Sequence, residues 1–393
     1  MQTQPTAVYL DNNATTSIDP EVLAVMLPWL GAEGCGNPSS PYAPGRKARV
    51  ALDEAREQTA SLLGSTPEEL IFTGSGTESI NTAIQAACSQ DPDCNHIIIS
   101  AVEHSATLKL CEHLARRGYE ITYLPVDALG HLDPAALQEA IRPETALVSL
   151  LWANNETGVL FPTHEIAAIC QKKKIPLHLD AVQAVGKLPV RVNEAGITML
   201  SLSGHKLHAP KGVGALYVNR GFRFTPLLRG SQESSRRGGT ENVASIIALG
   251  KACELAARHL EAEQTTVRGF RDRFENSLLE SVEGVTVNGD RELRLPNTSN
   301  LAFSGIESEG ALMLLDAAGI YCSAGSACTA GSVAPSHVLR AMGLDAERAR
   351  SSLRFSFGRF NRPEEIDFVI QRIPAVIAKL RSLNPGEVVI SSH

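Results

Sequence analysis

The chain has 393 residues, 43% hydrophobic and 20% charged, which excludes disorder and fibrous structure and supplies enough apolar surface for a large core. Its net charge of −7 creates no overall field toward DNA or an anionic membrane. No apolar run approaches the roughly 18 residues that cross a bilayer, and Met1–Ala7 has neither the basic nor the apolar part of an export signal. Eight irregularly spaced cysteines do not read as a disulfide framework, so a reducing cytoplasm is expected.

From about Pro67 to Tyr217, short β-rich runs alternate with helical patterns: Glu69–Thr73, His96–Ser100, Glu120–Pro125, Ala146–Trp152, Ile175–Asp180, Thr198–Ser203 and Ala215–Val218. Several are apolar without alternation, which suits strands covered on both faces. The pattern predicts an α/β chain with a doubly wound, mostly parallel seven-stranded sheet. Glu241–Glu263 then reads as one long helix leading away from that core. Strand-like runs at Thr298–Phe303 and Ser352–Phe357, with helical runs at Gly310–Ala318 and Glu364–Leu383, predict a smaller α+β domain. The expected layout is an N-terminal segment 1–20 packed with the small domain, a large domain 21–260, a small domain 261–383 and a loose tail 384–393. Lys172–Lys174 reads as a solvated helix end.

Thr73-Gly74-Ser75-Gly76-Thr77-Glu78 follows a predicted strand and opens a predicted helix. Such a turn can hold a phosphate on backbone N–H groups, or be a plain strand-to-helix connection; its spacing fits neither a Walker loop nor GxGxxG. Lys206 follows another apolar strand within Ser203-Gly204-His205-Lys206, surroundings suited to an amine that forms a Schiff base beside a cofactor phosphate. Lys211, next to glycine, reads as a loop lysine. Asp180 closes a strand three residues before Gln183, and His104 and Asn155 follow two others. In an open parallel sheet, all of these lie beyond the carboxyl ends of strands, where ligands bind.

These segments, together with Tyr9–Thr16, Gly36–Ser40, Asn154–Gly158, Asp180–Gly186, Gly239–Val243, Gly325–Cys328 and Arg354–Phe360, resemble the pyridoxal-phosphate cysteine desulfurases of the NifS and IscS group over nearly the whole chain. Trp152–Gly158 and His205–Gly214 are closer to the nitrogen-fixation branch. The resemblance implies the aspartate-aminotransferase fold (PLP fold type I) and a cofactor bound through Lys206. It implies that His104 stacks on the ring, Asp180 pairs with its nitrogen, and Asn155 and Gln183 meet its hydroxyl side. Gly76, Thr77, Ser203 and His205 are implied to hold the phosphate. It also implies a homodimer in which Thr240 reaches the partner's cofactor phosphate, and substrate contacts from Asn13, Asn155 and, to the carboxylate, Arg354.

Cys328 lies in the run Tyr321–Gly331, made mostly of small residues and unlike a core strand or an amphipathic helix, and reads as a loop thiol; Cys322, after the apolar run Ala317–Tyr321, reads as structural. By resemblance, L-cysteine is converted to L-alanine while Cys328 takes the sulfur as a persulfide, with His104 as a candidate proton acceptor. The sulfur then passes to an iron–sulfur scaffold protein, possible nitrogenase maturation included. Cys328 is also the one candidate metal ligand, a transient one for a nascent cluster. One departure stands out: relatives carry Gln-Glu-Arg-Gly where this chain has Gln232-Glu233-Ser234-Ser235. The alternatives are a selenocysteine lyase or another enzyme of the same fold, and a non-catalytic sulfur-delivery protein.

Overall fold

A computed structural model describes residues 5–324 and 335–383. Cys328 and the tail 384–393 lie outside the described residues. Val8–Tyr9 forms β1. Seven strands then make the main sheet: β2 (Leu70–Thr73), β3 (His96–Ser100), β4 (Glu120–Leu124), β5 (Thr145–Leu151), β6 (Leu177–Asp180), β7 (Met199–Ser203) and β8 (Gly214–Val218). Their order is β2-β8-β7-β6-β5-β3-β4, with only β8 running against its neighbours.

The apolar runs lack alternation because both faces of this sheet are covered, and successive side chains supply the two cores in turn. Along β3, Ile97 and Ile99 join one core, with Ile80, Ile84 and Leu110, while Ile98 joins the other, with Leu52, Val148 and Leu249. Along β8, Ala215 and Tyr217 face the second core and Leu216 and Val218 the first. The helix Ala43–Leu63 packs on the second face and ends at Gly64, whose left-handed backbone (φ 66°) lets its N–H reach Ala60 and Ser61 carbonyls.

A third core has its own antiparallel sheet, β12-β13-β10-β9, built from β9 (Val285–Val287), β10 (Thr298–Phe303), β12 (Ser323–Ala324) and β13 (Ser352–Ser356). The intervening β11 (Ile320–Tyr321) pairs in parallel with β1. Val8 and Leu10 are buried in this third core with Phe274, Phe355 and Ile373. The stretch expected as one helix over Glu241–Glu263 begins at Val243, where the Asn242 side chain caps the Ser245 N–H, and does not stop at Glu263. It passes through one π turn, Glu263–Val267, and continues as Arg268–Ser281. Ala256, before that turn, belongs to the second core, and Val267, inside it, to the third.

Glu233, Ser234 and Ser235 all have left-handed backbone, with φ of 47°, 56° and 63°. Ser235 therefore carries a Cβ in a region costing a residue with a side chain about 1–2 kcal/mol. The segment is held regardless: Glu233 is buried, accepts the Phe72 N–H at 2.8 Å and pairs with Arg56 at 2.6 Å. Ser235→Gly is expected to raise unfolding free energy by about 1 kcal/mol, read from denaturant midpoints at unchanged slope.

Candidate active site

The carboxyl ends of β2, β3, β5, β6 and β7 open onto one cavity of about 380 Å³, a usual size for a small-ligand site. Gly76, Thr77, His104, Asn155, Asp180, Gln183, Ser203, His205 and Lys206 all line it. Asn13 and Arg354 also line it, brought in from either end of the chain. Of the residues expected here, Thr240 does not line the cavity of its own chain; it is exposed in the connection before the helix Val243–Ala262.

Lys206 sits in a single helical turn just after β7, and its Nζ donates to the carbonyls of Asn13 and, at 2.7 Å, Ala14. Burial, reinforced by the charges of Lys187 and Arg354, pulls this amine down to about 7, so near neutrality a large share is unprotonated and nucleophilic. Asp180 ends β6, its Oδ1 accepting the Val182 N–H at 3.0 Å. Burial pushes it up to about 6 against the Lys206 charge, leaving it mostly ionised at pH 7.

His104 caps the helix Ser105–Ala115, its Nδ1 accepting the Ala106 N–H at 3.2 Å. Burial, then the Lys206 charge, holds the ring below its usual range, so it is neutral with its proton assigned to Nε2 by that cap bond. The ring thus offers a donor, and accepting a proton requires release of the cap. His205 spends Nδ1 on Thr15 Oγ1 at 3.1 Å and is pulled down to about 4, by burial first.

The helix Gly76–Cys88 begins at the cavity, capped by Ser75 Oγ, which accepts the Glu78 N–H. A Cβ on Gly76 would lie 3.0 Å from Val182 Cγ2 and 3.2 Å from Ser203 Cβ, so glycine keeps the floor beside the helix N-terminus clear. Glu78 accepts the Gly74 N–H and is gripped by Arg237 at 2.9 Å. Arg237 therefore braces the turn, and Arg236, bonded to the Leu70 carbonyl, braces β2.

Two expected substrate contacts are engaged by the protein itself. Asn13 Nδ2 donates to Thr298 Oγ1 and the Asn155 carbonyl, and its Oδ1 accepts from Asn297. Arg354 bonds Asp11 at 2.8 Å and the Asn155 carbonyl at 3.0 Å, leaving Nε buried without a partner. Cys322 is half-buried, and burial drives its thiol far above the usual range. Among the described residues no cluster of three metal-ligating side chains occurs, and no helix is long and apolar enough to cross a membrane.

The role of Glu103 had no signal beyond its place before His104. It is fully buried; Oε1 accepts from Ser100 Oγ at 2.5 Å and from the Leu151 N–H at 3.1 Å, while Oε2 has no partner. Burial first, then the Asp180 charge, pushes it up to about 8. A carboxyl raised in the fold gives stability that is lost as pH rises from its unfolded value to about 8. Glu103→Gln is therefore expected to gain on the parent by on the order of 2 kcal/mol between pH 6 and pH 8, read from denaturant midpoints at the two values.

A fold with one reversed strand in a seven-stranded sheet, and a lysine, a buried carboxylate and a helix N-terminus at the strand ends, defines a fold-type-I aminotransferase-like enzyme. Residues 8–369 match the aminotransferase class-V family, to which the chain belongs. Within it, the chain falls among the cysteine desulfurases. It is 52% identical over 382 residues to the cysteine desulfurase of Gluconacetobacter diazotrophicus, covering 96% of this chain and 95% of that one. It is 50% identical over 380 residues to cysteine desulfurase NifS of Azotobacter vinelandii, covering 96% and 94%. A solved NifS-like protein superimposes with a TM-score of 0.89 at 34% identity, covering 95% of this chain and all of that one.

Pyridoxal phosphate, which the family implies, fits the residues present. The site offers an amine held near 7, a buried carboxylate mostly ionised at pH 7, and a helix N-terminus left open by Gly76. Those suit, in turn, an aldehyde, a protonated ring nitrogen and a phosphate.

Proposed function

We propose that this cysteine desulfurase holds pyridoxal phosphate through Lys206 and that Cys328 receives the sulfur of L-cysteine as a persulfide, releasing L-alanine. The observation that carries the reading is the convergence of Lys206, Asp180 and His104 on one cavity at the carboxyl ends of the strands. When bound, the cofactor supplies an electron-accepting ring that weakens bonds around the substrate Cα.

The chain's own residues do the rest. The Asp180 carboxylate holds a proton on the ring nitrogen. Gly76 and Thr77 N–H groups, Ser203 and His205 take the phosphate, while Asn155 and Gln183 meet the ring hydroxyl side. His104 would lie against the ring, with its proton on Nε2. The amine of Lys206 would move a proton at the substrate Cα. Arg354, which lines the cavity, takes the substrate carboxylate, a task suited to a guanidinium. The Cys328 thiolate then bonds to the substrate sulfur as the carbon–sulfur bond breaks, so cysteine plus thiol gives alanine plus persulfide, with atoms and electrons balanced.

We read residues 21–260 as the cofactor-binding domain and 261–383 as the smaller one. We also propose a cytoplasmic homodimer; exposed Leu27, Leu30, Leu227 and Leu228 offer apolar surface that supports the dimer, as does Thr240, which stands outside its own cavity. An iron–sulfur scaffold protein is the acceptor of the persulfide sulfur. The test is incubation with L-cysteine and no keto acid. Alanine and persulfide in equal amounts are expected, whereas alanine that forms only with an added keto acid identifies an aminotransferase instead.

A further inference from the structure

Behind Lys206 lies a second buried lysine that the proposed chemistry does not use. Lys187 is 6% exposed, and its Nζ donates to Gln183 Oε1 at 2.7 Å and to the Gln183 carbonyl at 3.2 Å. Among the described residues no carboxylate comes within ion-pair distance of it. Glu263, in the π turn, is its main opposing charge, and the two share a cavity of about 20 Å³, room for about one water, with Lys206, His208 and Arg359. A buried ammonium that spends its donors on one glutamine costs stability, which a positioning task would offset.

The backbone around Lys187 is fixed from two sides. Gly186 has φ 78°, and a Cβ there would lie 2.4 Å from Leu207 Cδ2, so the turn packs directly against the residue after Lys206. The Lys187 carbonyl accepts from Gln264 Nε2 in the π turn. An amide side chain can sit with its oxygen and nitrogen exchanged, and an ammonium, which only donates, removes that freedom. With Oε1 bound to Lys187, Nε2 donates at 2.9 Å to the Asn13 carbonyl, the same oxygen that receives Lys206 Nζ.

We propose that Lys187 is a positioning residue that acts through Gln183, fixing its amide so that the cofactor site meets N–H donors and not the carbonyl oxygen. The proposal rests on the pyridoxal-phosphate reading above. It makes Lys187, Gln183 and Asn13 one unit reaching from the π turn to the amine of Lys206.

The test is a double-mutant cycle on the full chain, stripped of cofactor and titrated with pyridoxal phosphate, following the visible band and the dissociation constant. Lys187→Met is expected to weaken binding about tenfold and to shift the band. Gln183→Ala is expected to weaken it at least as much, and the double variant to bind no worse than Gln183→Ala alone. Wild-type affinity and band in Lys187→Met, or losses that multiply in the double variant, overturn the proposal. If Lys187→Met does not fold, Lys187→Gln, which keeps an N–H donor without the charge, takes its place. It is expected to stay within about threefold of wild type, and a loss equal to that of Gln183→Ala overturns the proposal. Absence of a band in the wild-type chain on adding the cofactor is a failure of the cofactor reading itself, and so is distinguishable.

Discussion

Lys206→Ala is expected to purify without the visible absorbance of a lysine-bound cofactor and to lose alanine formation by roughly 10²–10⁴-fold, the usual range for removing a positioned acid–base group. Its fold should survive, because the native protein carries this amine at a cost. Lys206 is held at about 7 in the fold, below its value of 10.5 when free, so the unfolded chain binds more protons between these values. Parent stability therefore rises with pH across that window, and the buried charge costs most below pH 7. With both proteins stripped of cofactor, the alanine variant lacks that cost, so its stability relative to the stripped parent is greatest below pH 7 and declines toward pH 10.5. Thermal midpoints at pH 6 and pH 9 check the sign, and a surviving visible band shows the lysine to be misassigned.

Cys328→Ala should do the reverse: keep the visible band and lose persulfide formation, with alanine release falling by a comparable factor. The contrast with five of the other thiols gives the prediction its force. Burial pushes Cys88, Cys111, Cys170 and Cys253 up to about 12 and Cys322 higher still, so all five are protonated near neutrality and poor nucleophiles. Cys322→Ala is accordingly expected to retain sulfur transfer. Equal loss in both variants places the effect in the segment's structure and not in one thiol.

The main sheet was legible because seven β-rich runs alternate with helical patterns and several of them are apolar without alternation, and observed strand ends differ from the runs by no more than two residues. Strands of two or three residues, such as β1, β9, β11 and β12, carry too short a period to register. The π turn was invisible for a different reason: Glu241–Glu263 and the following segment have the same helical periodicity on either side of it. Within the site, Lys206, Asp180 and His104 could be found because chemistry-bearing residues at strand ends converge by topology alone. The partners that set their behaviour could not. Arg354 meets Asp11 across 343 positions, and Gln183 meets Asn13 across 170. Only packing decides that Glu103 is isolated enough to hold a proton, or that Lys187 spends its charge on an amide.

The central claim is most directly tested by mixing the purified chain with one equivalent of L-cysteine, quenching, and weighing each cysteine-containing peptide. One additional sulfur on the Cys328 peptide, in step with one alanine per chain, is predicted. Alanine formed with that peptide unmodified, and the sulfur on another cysteine or free as sulfide from the first turnover, contradicts it.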